Sequence, residues 1–255
     1  MIDIKKLTAG YGKGEILKEL SLSLEKGKLT SIIGPNGSGK STLLKSVVGI
    51  LPLRNGEILI DGASTRSLTR TERAKRLAYL SQKKSDPDMT VEELVLHGRF
   101  PHLKYPHKYS DADKKATRLA ISRIGLEAFS QKTISTLSGG MKQSAYIAMA
   151  LAQETDYILL DEPTTHLDIS HQIELMRILR ALADDGKGIV TVMHDLPMAL
   201  SFSDSIAVIK DGEILFYGAP GELLSTNILK TVFGVLISFE NGEYYYQIST
   251  SKVKE

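Results

Sequence analysis

The chain has 255 residues, enough for one large domain or for a domain carrying an inserted lobe, and its charged residues (24%) are interspersed to a net +2. That balance gives no electrostatic reason to expect nucleic acid as the main partner. The absence of cysteine removes disulfides, zinc-thiolate sites and thiol nucleophiles together and allows a reducing compartment.

The opening segment, MIDIKKLTAGYG, lacks the long apolar stretch of a signal peptide. No segment approaches the roughly 18 consecutive apolar residues needed to span a bilayer. The expectation is a soluble, cytoplasmic chain whose membrane role, if any, comes through another subunit. Within this segment Tyr11, between two glycines, offers an aromatic face. LTSIIG (29–34) reads as a buried strand ending in glycine, and STLLKSVVG after it has helical spacing. RNGEILIDG (54–62) predicts a strand bounded by hairpin turns at Asn55-Gly56 and Asp61-Gly62. Gln82 follows RLAYLSQ as an exposed amide.

From about residue 85 to 150, charged helical patterns such as SDADKKATRLAISRIG replace the strand signals, so a helical lobe is expected inside an α/β core. His97, His102 and His107 stand at five-residue spacing on a Pro-containing segment with no acidic partner nearby. They read as part of a docking surface rather than as metal ligands. At LSGGMKQ (137–143) two glycines behind a serine open a helix, an arrangement suited to gripping an anion. YILLDEP (157–163) and GIVTVMHD (188–195) then read as buried parallel strands with a helix between them. SIAVIKDGEILFYG turns at Asp211-Gly212, and a last hairpin turns at Asn241-Gly242, with Tyr244, Tyr245 and Tyr246 as packing.

GPNGSGKST (34–42) fits the phosphate-binding P-loop pattern, following a strand and opening a helix. Its glycines let successive N–H groups point inward; Lys40 reaches the β- and γ-phosphates, and Ser41 offers a hydroxyl to Mg2+. Such a loop needs a magnesium carboxylate and a group that orients the attacking water. Asp161 and Glu162, at the end of an apolar strand, are the candidates for metal and general base. His194, after a second buried strand, is placed to contact the γ-phosphate.

In this order, Tyr11, the P-loop, Gln82, LSGG, ILLDEP, HLD (166–168) and His194 resemble the nucleotide-binding subunit of ABC transporters, over essentially the whole chain to about residue 220. The resemblance implies a P-loop NTPase (RecA-like) α/β core with an N-terminal antiparallel β subdomain and an inserted α-helical subdomain. The core takes about 1–84 and 152–235, the helical subdomain about 85–151, and 236–255 forms a C-terminal hairpin extension. It makes Tyr11 the adenine-stacking residue. Gly34, Pro35, Asn36, Gly37, Ser38, Gly39, Lys40, Ser41 and Thr42 become the Walker A loop. Gln82 links metal, water and membrane subunits; Asp161 and Glu162 are Walker B and base; Asp168 is the D-loop aspartate and His194 the switch histidine. Ser138, Gly139 and Gly140 serve the ATP of a second, head-to-tail copy. The implied cofactors are ATP and Mg2+.

The chain departs from the family at Met141, where glutamine is usual, and at Ser144 and Met149, where arginines are frequent. The Ser-Gly-Gly donors remain, so nucleotide sandwiching is expected to survive. HGRFPH (97–102), DEPTTHLDISHQ (161–172) and MHDL (193–196) resemble importer ATPases for iron-siderophore, haem and cobalamin. The implied partners are a second copy, transmembrane permease subunits and, indirectly, an extracytoplasmic substrate-binding protein, with the chain peripheral on the inner face of the membrane. A soluble ABC ATPase of iron-sulfur cluster assembly, or an ABC subunit for another substrate, would keep the same catalytic motifs. A DNA-repair ATPase would need a long insertion that this chain lacks, and a purely regulatory module would lack Glu162.

Overall fold

The computed structural model describes residues 1–82 and 86–247, so 248–255 of the expected C-terminal extension lie outside the described residues. Along the chain, β1 (Ile2–Ala9), β2 (Leu17–Leu24) and β3 (Leu29–Ile33) lead into α1 (Lys40–Val47). β4 (Asn55–Ile60), β5 (Ala63–Ser64), α2 (Arg70–Ala74) and β6 (Leu77–Leu80) follow. Three helices come next: α3 (Val91–His97), α4 (Asp111–Arg123) and α5 (Gly139–Ala152). The chain then returns to alternation with β7 (Tyr157–Asp161), α6 (Ile169–Asp184), β8 (Gly188–Val192) and α7 (Leu196–Phe202). It closes with β9 (Ser205–Lys210), β10 (Glu213–Gly218), α8 (Pro220–Leu224), α9 (Ile228–Phe233), β11 (Leu236–Glu240) and β12 (Glu243–Gln247).

The central sheet has the order β10-β9-β3-β8-β7-β6, parallel throughout except for β10 at one edge. Strands β3, β7 and β8 are buried at every position, as strands covered on both faces must be. A second, antiparallel sheet runs β2-β1-β4-β5. Leu7 and Leu20 of that sheet, Ile32 of the central sheet, and Leu43 and Leu44 of α1 share one apolar core. The opposite face of the central sheet packs on α6 and α7 in a core that continues into α3 and α5. This is the expected α/β architecture with an antiparallel sheet and a helical part.

Asp61-Gly62, Asp211-Gly212 and Asn241-Gly242 all have both residues at positive φ, as two-residue hairpins demand. Asn55-Gly56 is different. Both residues belong to β4, with Thr8 of β1 opposite Asn55 across a register shift. A β-carbon on Gly56 would lie 2.3 Å from the Lys6 carbonyl oxygen. The expected turn is absent: Gly56 stays in β4 opposite the extra residue of a bulge in β1, because β4 pairs with β1 rather than folding back on its own neighbour.

The helical part is tied to the core by Arg99, which is 6% exposed. Its guanidinium donates to Asp113 at 2.9 Å, to the Ala152 carbonyl at the end of α5 at 2.7 Å, and to Glu154 at 2.6 Å. Asp113 also closes the capping box of α4 with Ser110. Burial opposes ionisation of Asp113, but Ser110 and Arg99 together outweigh it and bring its pKa to about 2. The variant Asp113→Asn leaves Arg99 partly unpaired and should lower unfolding free energy by about 3 kcal/mol, read by urea titration. A folded pKa below the unfolded value of about 3.9 means the carboxylate's contribution is complete above pH 4 and is lost as pH falls toward 2. The gap between wild type and variant should narrow over that range.

Candidate functional site

Four neighbouring parallel strands deliver the site. In open α/β sheets the crevice beyond the carboxyl ends of the strands is where ligands bind, because loops from adjacent strands converge there. β3 runs into the glycine loop, β7 ends at Asp161, β8 ends two residues before His194, and β6 ends two residues before Gln82. Their side-by-side order, β3-β8-β7-β6, brings together residues far apart in the chain.

The loop at 34–39 is held against its surroundings. A β-carbon on Gly34 would lie 2.1 Å from the Ile209 carbonyl oxygen of β9, and one on Gly39 would lie 2.7 Å from Leu17. Gly37 and Gly39 have φ of 78° and 107°, which L side chains rarely adopt. A hollow of about 190 Å³ opens beside the loop, lined by Ile16, Asn36, Gly37, Gly39, Lys40, Ser41, Thr42 and Glu162. Lys40 is 5% exposed, and its ammonium donates to the carbonyls of Gly34 and Pro35 at 2.9 Å each. Burial lowers its pKa, against the nearby charges of Glu162 and Asp161. The buried hydroxyl of Ser38 has no partner among the described residues. A buried cation and an unsatisfied donor beside the same loop favour an anionic ligand.

Ser41 donates its hydroxyl to Asp161 at 2.9 Å, and the Tyr79 hydroxyl stands 3.3 Å from the other oxygen of the same carboxylate. Asp161 is 4% exposed and forms no ion pair among the described residues. Burial raises its pKa, with the Ser41 and Tyr79 hydroxyls opposing. A buried carboxylate lacking a cation, next to a hydroxyl, is a hard-oxygen donor set that fits Mg2+.

Glu162 has φ 52° and is surrounded by donors. Nε2 of His194 lies 2.7 Å from Oε1, while Gln82 donates to Oε2 at 2.5 Å and Thr165 at 3.3 Å. Gln82 and His194 thus meet on the Glu162 carboxylate. Tyr11 is half exposed on the 10–14 turn, which the Gly14 N–H closes on the Tyr11 carbonyl at 3.0 Å. Tyr79, Thr165 and Ile16 were not recognisable as site residues. Tyr79 sits in an ordinary strand pattern, and only the pairing of β6 with β7 puts it against Asp161.

Ser138, Gly139 and Gly140 do not line this hollow. Ser138 caps α5, accepting from the Met141 N–H at 3.3 Å, and an added β-carbon on Gly139 would meet nothing within 4 Å. Gly139 faces open space, whereas Gly140 packs against the His171 ring. Met141, where glutamine is usual, packs its side chain against the larger apolar core. Lys142 pairs with Asp86 at 2.5 Å. Asp168 caps α6 by accepting from the His171 N–H at 3.0 Å.

A groove of about 630 Å³ runs between the core and the helical part, lined among others by Ile50, Arg73, Tyr79, His97, Phe100 and Met149. His102 is not free to join His97, since Nε2 is 2.9 Å from the Gln153 carbonyl oxygen; His107 stacks on Phe100. Among the described residues no helix is long and apolar enough to cross a membrane.

A glycine loop that leaves a central parallel strand and opens a helix, facing paired carboxylates two strands away, defines a P-loop ATPase. The chain belongs to the ABC transporter family, whose model matches residues 17–165. It is 40% identical over 234 residues to the petrobactin import ATP-binding protein FpuD of Bacillus anthracis, covering 91% of this chain and 86% of the relative. It is 39% identical over 236 residues to the iron(3+)-hydroxamate import ATP-binding protein FhuC of Bacillus subtilis, covering 92% and 88%. Among solved structures, the dimeric bacterial ABC transporter cassette MJ0796 superimposes with a TM-score of 0.74 at 31% identity, covering 86% of this chain and 99% of that one. The protein is an ATP-binding subunit that hydrolyses ATP to drive transport.

Proposed function

We propose that two copies of this chain bind MgATP at two shared sites, close, hydrolyse and reopen, driving a separate permease that imports an iron-siderophore chelate, haem or cobalamin. The observation that carries this reading is the split of the phosphate-gripping elements. Lys40, Ser41, Asp161, Glu162, Gln82 and His194 converge around one hollow, whereas the Ser138-Gly139-Gly140 turn at the start of α5 lies outside it, with Ser138 and Gly139 exposed. A γ-phosphate gripped by both elements needs a second chain, so only the closed dimer completes the site, and closure follows from differential binding.

In that site Tyr11 stacks on the adenine and the N–H groups of residues 34–42 wrap the phosphates. Lys40 leaves the Gly34 and Pro35 carbonyls for the β- and γ-phosphates. Ser41, Asp161 and Gln82 would hold Mg2+, which when bound neutralises phosphate charge. Glu162 orients a water and takes its proton as the water oxygen bonds to the γ-phosphorus and the bond to the bridging oxygen breaks. His194 steadies Glu162 and faces the γ-phosphate, and Asp168 lies at the dimer edge. The groove containing His97, Phe100 and Met149 receives the permease on the inner face of the membrane, with an extracytoplasmic binding protein delivering the cargo. The iron-siderophore choice within this cargo class is supported by the import proteins that share about two-fifths of its sequence.

Two experiments test this. Cells lacking the chain should lose uptake of radioactive iron supplied as a hydroxamate or catecholate siderophore, and regain it with wild type but not with Glu162→Gln; uptake indifferent to both would defeat the cargo assignment. For the shared site, a heterodimer is assembled from one Lys40→Ala chain and one Ser138→Arg chain, both carrying Glu162→Gln. A signature acting on the partner's nucleotide leaves one whole site and retains up to about one ATP per heterodimer, with almost none in either parent homodimer. A closed heterodimer retaining no ATP would return the signature to its own chain.

A further inference from the structure

The N-termini of α5 and α6 meet through one side chain. A β-carbon on Gly140 would lie 2.5 Å from Cδ2, 2.9 Å from Cγ and 3.1 Å from Nε2 of His171. The imidazole therefore lies directly against the α-carbon of the second signature glycine. Its other edge is held as well. Nδ1 stands 2.8 and 2.7 Å from the two oxygens of Asp168, so this nitrogen carries the proton and donates it. Asp168 accepts in addition from the His171 backbone N–H at 3.0 Å and from the Ser170 hydroxyl at 2.7 Å. The backbone bond from His171, the Ser170 hydroxyl and the imidazole together hold the Asp168 pKa at about 2. The His171 and Asp168 side chains are both partly exposed, so the ring is held by its hydrogen bond to Asp168 and its contact with Gly140 rather than by burial.

We propose that His171 is a positioning residue that locks the signature turn at Gly140 to the Asp168 loop, so that one protomer presents both as a single rigid edge to the nucleotide on its partner's P-loop. This rests on the shared-site reading above. His171 touches no phosphate itself; it acts through Gly140 and Asp168. It also accounts for glycine at 140 within its own chain, because any β-carbon there would displace the imidazole from its bond to Asp168.

The test uses the heterodimer just described, in which the whole site pairs the P-loop of the Ser138→Arg chain with the signature of the Lys40→Ala chain. Adding His171→Ala to the Lys40→Ala chain should cut retained ATP roughly 10- to 100-fold, as loss of geometry at a preorganised contact does. Adding it to the Ser138→Arg chain should leave retention unchanged. Equal loss from either placement, or loss from neither, overturns the proposal. If the parent heterodimer itself retains no ATP, the shared-site reading fails first and takes this proposal with it. Two further variants separate the two contacts and serve if the alanine chain does not fold. His171→Asn keeps a donor for Asp168 without the ring, and His171→Phe keeps a ring against Gly140 without the donor. Each should retain an intermediate amount, and full retention by both would overturn the role. In the otherwise wild-type chain, His171→Ala should lower kcat by the same factor while MgATP affinity of the isolated chain, set by its own P-loop, stays unchanged.

Discussion

An alanine at Lys40 is expected to abolish ATP hydrolysis while leaving the fold intact. The ammonium is buried and donates only to the Gly34 and Pro35 carbonyls, with no ion pair of its own among the described residues. Burial lowers its pKa, meaning that the charged form sits there at a cost that an anion nearby would offset. A charge-assisted hydrogen bond to phosphate is worth about 1.5–3 kcal/mol, so MgATP affinity should fall about 10- to 100-fold. Negative charge builds further on the transferring phosphoryl oxygens, so the rate should fall by about 10³-fold or more. Nucleotide titration and steady-state hydrolysis on the purified variant read both numbers, with circular dichroism checking the fold. Wild-type turnover in a folded variant would remove residues 34–42 from the site.

The variant Glu162→Gln should behave in the opposite way, binding ATP and failing to turn it over. Glutamine keeps the shape of the side chain and one acceptor oxygen, which can serve the Gln82 and Thr165 donors while its NH2 faces His194, but its amide cannot take a proton from water. Removing a general base costs about 10²- to 10⁴-fold in rate, while contacts to the bound nucleotide stand. With hydrolysis blocked, the closed dimer has no route to reopening except loss of ATP, so a dimer that persists on gel filtration in MgATP is the expected observation. A fall in kcat without a rise in KM would mark Glu162 as acting in the transition state rather than in binding. Hydrolysis at the wild-type rate would mean another group accepts the proton.

Some expectations failed or were silent for a common reason. The Asn55-Gly56 pair carries the same local signal as the three true hairpin turns, yet it stays in β4 opposite a bulge in β1, because β4 is drawn onto β1 nearly fifty residues earlier in the chain. Arg99 stood in HGRFPH as a subfamily habit, with nothing to say that it would be buried beneath α4 and the end of α5. Met141 stands where glutamine is usual, and its side chain packs against the apolar core. His171 offered one usable signal, its spacing of three from a helix-capping aspartate. Nothing local could show that its ring would reach Gly140.

What the sequence by itself determined is the chemistry available and the family. The phosphate loop is legible within nine consecutive residues, since Gly37 and Gly39 take positive φ and Lys40 and Ser41 supply the cation and the hydroxyl, while the need for glycine at 34 comes from the distant Ile209 carbonyl. The mainly apolar runs ahead of Gly34, Asp161 and Met193 likewise marked buried parallel strands. Tertiary structure alone decided which residues meet. Gln82, Glu162 and His194 lie on different connections, and they form one hydrogen-bonded cluster because β6, β7 and β8 pair side by side in parallel, while β3 pairing on β8 brings the glycine loop beside them. Parallel strands send all their carboxyl ends to one edge, so side chains up to 112 residues apart arrive within hydrogen-bonding distance of a single carboxylate.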